Sequence, residues 1–189
     1  LERPALDAIV SGETADFPEA PYAHEEVQVT CGSSALPVAA VRLRGPEEET
    51  MWATSHGNGP VDAAFKAIDS IVSVPNELLE FSVQAMTEGV DALGKVAVRI
   101  QGEVTLGDTG RTENREFLGR GADTDIIVAS TKAYLFALNR LLAAQKASRR
   151  RESITDEIRQ TLEEMSARYG SAHTGDFMGW SALRDEELI

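Results

Sequence analysis

The sequence predicts an α+β fold of two βββα units, each a three-stranded antiparallel sheet covered by one helix in a two-layer arrangement. Two observations carry that prediction. The order of three short strand-like segments followed by an amphipathic helix occurs twice along the 189 residues. Each set of strands alternates apolar with polar residues, so each sheet has one greasy face that needs a helix over it.

The elements follow in chain order. Residues 1–24 are rich in Pro, Ala and acids and read as a linker or docking arm, with a short helix over 4–10. Residues 26–30 form the first strand, with Val27 and Val29 alternating with polar neighbours. Gly32-Ser33-Ser34 turns the chain into a second strand over 35–44, and Gly45-Pro46 turns it into a third over 48–55. Gly57-Asn58-Gly59-Pro60 then opens a helix over 61–72, with Val61, Ala64, Phe65, Ile68 and Val72 at helical spacing. Pro60 suits the first helical turn, where its missing N–H costs nothing.

The second round has strands over 77–86, 94–101 and 115–119. Leu79, Phe81, Val83 and Ala85 share one face of the first, and Val96, Val98 and Ile100 one face of the second. A polar hairpin over 107–114 precedes the third strand, and Gly119-Arg120-Gly121 leads to a long helix over 123–146. After the charged run Ser148-Arg149-Arg150-Arg151-Glu152 a separate helix is expected over 153–169, with Ser153 and Asp156 at its start. The domain plan is therefore an arm (1–24), a two-repeat domain (25–74 and 75–146), and a C-terminal helical extension and tail (147–189).

Composition narrows the function. The chain is 42% apolar and carries a net charge of −13, which opposes binding to nucleic acid. No uninterrupted apolar run approaches the roughly 20 residues that span a bilayer, and no signal peptide is visible, so no membrane partner is expected. The lone Cys31 reads as a small buried hydrophobe, and a cytoplasmic location is expected. The chain starts at Leu1 without methionine, which reads as a fragment of a longer protein.

Catalytic machinery is not apparent. His24, His56 and His173 stand far apart and outside metal-ligand spacing, and no Cys-x-x-Cys or Gly-x-Ser-x-Gly occurs. Asp123 and Asp125 could pair as carboxylates, but at a helix start they read as N-terminal caps. The two glycine segments, 57–60 and 119–121, precede helices, where backbone N–H groups can approach a small anion such as a carboxylate. Tight strand-to-helix turns would look the same. Ala85, Ala92 and Gly94 put small residues around a hairpin, either a pocket wall or simply a turn.

Four ordered segments carry a resemblance: residues 55–63 (SHGNGPVDA), 91–94 (DALG), 119–127 (GRGADTDII) and 130–140 (STKAYLFALNR). Together they resemble the C-terminal regulatory domain of 2-isopropylmalate synthase, to which citramalate and homocitrate synthases have close relatives. The resemblance covers about residues 25–145 and implies that the two-unit domain forms a homodimer. It implies feedback inhibition by leucine or isoleucine bound between two regulatory domains. It assigns the ligand to Gly57, Asn58, Gly59, Val61 and Asp62 of one segment and Ala85, Ala92 and Gly94 of another. A divalent metal and acetyl-CoA chemistry belong to an N-terminal catalytic barrel, so no cofactor is expected in this chain. A citramalate synthase domain sensing isoleucine, or a dimerisation module without ligand, are the alternatives. Val128 and Thr131 depart from the family's usual Glu and Ala and are expected on the helix surface.

Overall fold

The computed structural model describes residues 20–85, 93–106 and 111–169. The strands are β1 (Ala23–Gly32), β2 (Ala35–Arg44) and β3 (Thr50–His56), followed by helix α1 (Pro60–Val72). Then come β4 (Glu77–Ala85), β5 (Gly94–Thr105) and β6 (Thr112–Asp123), followed by helix α2 (Ile126–Tyr169). Both sheets are antiparallel meanders, ordered β1-β2-β3 and β4-β5-β6. The two βββα units are therefore present. The helix expected at 4–10 lies outside the described residues.

Alternation decides which face is buried. In β2, Ala39, Val41 and Leu43 are fully buried under α1, whose Ala63, Ala64, Ala67 and Ile68 are fully buried as well. In β5, Val96, Val98 and Ile100 are equally buried under α2. The helices also touch each other, and the far side of α2 reaches across to β1. Strand β1 is thus covered by the helix of the other unit. Asn139 of α2 fixes this contact: it accepts from Tyr22 N at 3.2 Å and donates to Tyr22 O at 2.8 Å.

The second glycine segment is not a loop. Gly119 and Gly121 lie inside β6, paired with Val98 and Val96. A Cβ on Gly119 would collide with Ala133 O and lie 2.7 Å from Ala137 N; one on Gly121 would collide with Ala129 O and lie 2.8 Å from Ala133 N. The backbone of α2, carrying only alanine at 129, 133 and 137, rests directly on the strand backbone. The strand therefore runs on to Asp123, four residues past the expected end. Strands β5 and β6 both outgrow their sequence signals because polar residues there sit on the solvent face.

Other expectations also change. The two C-terminal helices are one helix of 44 residues, because nothing in Ser148–Glu152 breaks it. Ser153 is consequently helix interior and caps nothing. Asp125, not Asp123, is the cap: its Oδ1 accepts from Ile127 N at 2.7 Å. Thr131 is fully buried, its hydroxyl donating to Val128 O at 2.9 Å, so it is not a surface position. Cys31 is exposed, since it falls at the frayed end of β1 beside the hairpin. Glu48 takes φ 62° in the turn before β3, which delays that strand to Thr50. By length and composition α2 could cross a bilayer, contrary to the reading from apolar runs, but 56% of its apolar window is buried within the fold.

His24, on β1, packs near Lys132 and Asp123, and its buried Nε2 has no hydrogen-bond partner among the described residues. Burial first, and then the Lys132 charge, hold its imidazole below the ordinary 6.5, with Asp123 opposing. The unfolded chain therefore binds this proton more readily, and stability falls as pH drops below 6.5. Urea midpoints at pH 8 and pH 5.5 should differ more for the wild type than for His24→Gln. Equal differences would remove His24 from the pH response.

Candidate functional site

The loop ahead of α1 is built by its own capping chemistry. Gly59 is the N-cap residue, extended at φ −160° and ψ 172°, with no side-chain cap. Asp62, in the first turn, reaches back so that its Oδ2 accepts from Asn58 N and Lys66 Nζ, each at 2.8 Å. Those bonds, the Lys66 one foremost, hold the Asp62 carboxyl below the usual carboxylate range. Gly57 N donates to Pro37 O at 3.1 Å, tying the loop to β2.

These bonds separate the predicted donors into two sets. The amides of Gly57 and Asn58 are already occupied by the chain's own atoms. The amides of Gly59, Val61 and Asp62 have no acceptor among the described residues. The two glycines also differ. A Cβ on Gly57 would lie 2.5 Å from Asp62 Oδ2 and 2.6 Å from Ala63 N, so the turn itself demands glycine. Among the described residues, a Cβ on Gly59 would meet nothing within 4 Å. Neither packing nor backbone geometry explains glycine at 59.

The hairpin half of the predicted site is elsewhere in the chain's own fold. Ala85 pairs with Gly94 at the open end of β4 and β5. Gly94 is buried, and a Cβ there would strike Ile126 Cδ1 at the start of α2. Ala92 lies outside the described residues. Among the described residues no contact joins β4 or β5 to β3, or β5 to α1, so Ala85 and Gly94 do not join the loop ahead of α1 within one chain. Beside Gly94, burial alone would raise the Asp123 carboxyl, but hydrogen bonds from Lys132 and Asp125 N bring it below its usual range.

Two features escaped the sequence reading. Ser82, Gln84, Lys95, Ala97 and Arg120 line a shallow depression of ≈ 290 Å³ on the outer face of the second sheet. Placing Arg120 in a loop hid it; continuing the alternation through β6 would have found it. The other is a polar link between the helices. Tyr134 Oη donates to Asp69 Oδ1 at 2.6 Å, and Asn76 Nδ2 approaches the same oxygen at 3.3 Å. Burial pushes the Asp69 carboxyl up against the opposing hydrogen bonds, and pushes the Tyr134 hydroxyl up as well. The Tyr134 ring stacks on Phe65 with centroids 4.1 Å apart, and Phe65 meets Phe81 edge-on at 6.1 Å. Asp69, a lone acid among the apolar positions of α1, was the available signal.

Among the described residues, no group of three His, Cys, Asp or Glu side chains is arranged to hold a metal. Comparison with known proteins agrees with the architecture. Residues 2–142 match the family described as the LeuA allosteric (dimerisation) domain. The chain is 47% identical over 153 residues to the 2-isopropylmalate synthase of Gloeothece citriformis, covering 79% of this chain and 26% of that protein. It is 46% identical over 150 residues to that of a Nostoc species, covering 79% and 26%. With that of Gloeobacter violaceus it shares 48% over 136 residues, covering 72% and 23%. The chain spans about a quarter of the length of the curated relatives it matches.

Proposed function

The chain belongs to the LeuA allosteric (dimerisation) domain family, and from that premise we propose that it binds a small branched-chain amino acid at the start of α1. The observation that carries the reading is Gly59. It leaves open space and unoccupied amides at a helix N-terminus, where the backbone favours a carboxylate. Val61, half-buried beside it, offers apolar surface for an aliphatic side chain. Leucine or isoleucine is the proposed effector. The proposed parent is a cytoplasmic 2-isopropylmalate synthase-type acyltransferase whose catalytic barrel adjoins this chain and is feedback-inhibited through it. Helix α1 carries the ligand loop at one end and Asp69, linked to α2, near the other. Binding that favoured one setting of that link would be felt by the second unit.

The proposed dimer face is β4. Phe81 and Val83 pair with Val98 and Val96, so they sit on the helix side of the second sheet. α1 meets β4 edge-on through Phe65 and Phe81, but among the described residues the backbone of neither helix lies over β4, and Leu78, Leu79, Phe81 and Val83 remain 45%, 42%, 38% and 45% exposed. Its counterpart β1 is covered by α2. A helix of the second copy fits the vacant position over β4. Phe81→Lys with Val83→Asp should weaken self-association at least about tenfold in sedimentation equilibrium, with the circular dichroism of the monomer unchanged. An unaltered dimer would move the interface elsewhere.

Calorimetric titration of the chain with leucine, isoleucine and valine tests the ligand. Micromolar binding of one of them is expected. A flat trace with all three would leave the second reading, a dimerisation module without ligand, which the occupied amides of Gly57 and Asn58 favour.

A further inference from the structure

We propose that the outer half of α2 is a second self-association element, an arm that pairs antiparallel with the same helix of another copy. The family match ends at residue 142, so this arm lies outside the shared domain. The helix is held to the sheet as far as Ser148, through Gln145 Nε2 to Glu103 O at 2.8 Å and Ser148 Oγ to Thr105 O. Beyond it, residues 149–169 extend about 30 Å at 1.5 Å per residue, with every side chain described there exposed or nearly so.

That arm is not uniformly polar. Ile154, Ile158, Leu162 and Met165 are 47%, 55%, 61% and 53% exposed and form one stripe at spacings of four, four and three. Among the described residues, the polar contacts along the stripe's flanks run within the same helix, such as Arg159 to Asp156 at 3.2 Å. A lone solvated helix has no use for four large apolar side chains in line.

Charge selects the occupant and its direction. Arg149, Arg150 and Arg151, with the single acid Glu152, stand at the root, while Asp156, Glu157, Glu163 and Glu164 dominate further out, with Arg159 and Arg168 among them. Parallel pairing would set the three arginines against their own copies. Antiparallel pairing about an axis near Ile158 sets Ile154 against Leu162 and brings Arg151 within one turn of Glu164. A second copy of this arm is therefore complementary to it in both apolar stripe and charge.

Cysteine cross-linking in the intact chain tests this, with the exposed Cys31 replaced by serine. Under mild oxidation Ile158→Cys should link to itself rapidly, and Gln160→Cys, on the opposite side of the helix, at least tenfold more slowly. Ile154→Cys should link to Leu162→Cys in a mixture but not to itself. Adding Leu162→Glu to the Ile158→Cys chain should reduce linking at least tenfold while circular dichroism stays unchanged. Equal rates at 158 and 160, self-linking at 154, or no link at 158 because residues 170–189 cover the stripe would each overturn the proposal. The family's own dimerisation is read separately at Phe81 and Val83, so failure of one does not imply failure of the other.

Discussion

Gly121→Ala and Gly119→Ala are each expected to destabilise the chain by about 3 kcal/mol or more, the upper end for inserting a methylene into a packed core. The atoms in the way are Ala129 O, Ala133 O, Ala133 N and Ala137 N, all main chain of α2. A side chain could rotate aside; a helix backbone moves only as a whole. Shifting α2 outward would loosen its seat on Val96, Val98 and Ile100 and strain the Asn139–Tyr22 pairing on its other side. At 2–4 °C per kcal/mol for a chain of this size, the melting midpoint should fall by roughly 6–12 °C. Gly102→Ala is the internal comparison, because its obstacle is the end of the Leu141 side chain and the cost should be smaller. A Gly121→Ala midpoint within a degree of wild type would mean that α2 does not sit on β6 as described.

The second large effect should appear in binding and not in stability. Gly59→Val should weaken amino-acid binding at least about 100-fold, roughly 2.7 kcal/mol, by filling the space beside the free amides. Extended φ and ψ at this position are comfortable for valine, so the fold should lose no more than about 1 kcal/mol from the poorer cap. Gly57→Ala should do the reverse in origin: its methyl meets Ala63 N and the Asp62 carboxylate, so unfolding shifts first. Calorimetry and urea denaturation on the same two variants separate the effects. If Gly59→Val bound leucine, isoleucine or valine as wild type does, the start of α1 would no longer be the site.

Local pattern alone determined a good deal. Period-two alternation located β1, β2, β4 and β5, flanking turns located β3 and β6, Pro60 and the spacing of Ala64, Phe65 and Ile68 located α1, and the repetition of that order implied two like units. These signals are legible because each depends on residues within a few positions of one another. Segments that resemble one another locally were not separable. A glycine that lets a helix backbone touch a strand, as at 119 and 121, looks in sequence like a glycine opening an anion loop. Only the position of α2 over β6 distinguishes them. In the same way Gly57 and Gly59 look equivalent until Asp62 and Ala63 are placed beside the first and empty space beside the second.

The remaining facts are long-range, and the tertiary structure alone supplied them. That β1 is reached by the other unit's helix, that among the described residues neither helix backbone lies over β4, and that Asp69 meets Tyr134 across 65 residues all depend on how two amphipathic units dock. Each unit's sequence says only that it has an apolar face to bury. Which surface buries it, and which is left over, is settled when the faces meet in three dimensions.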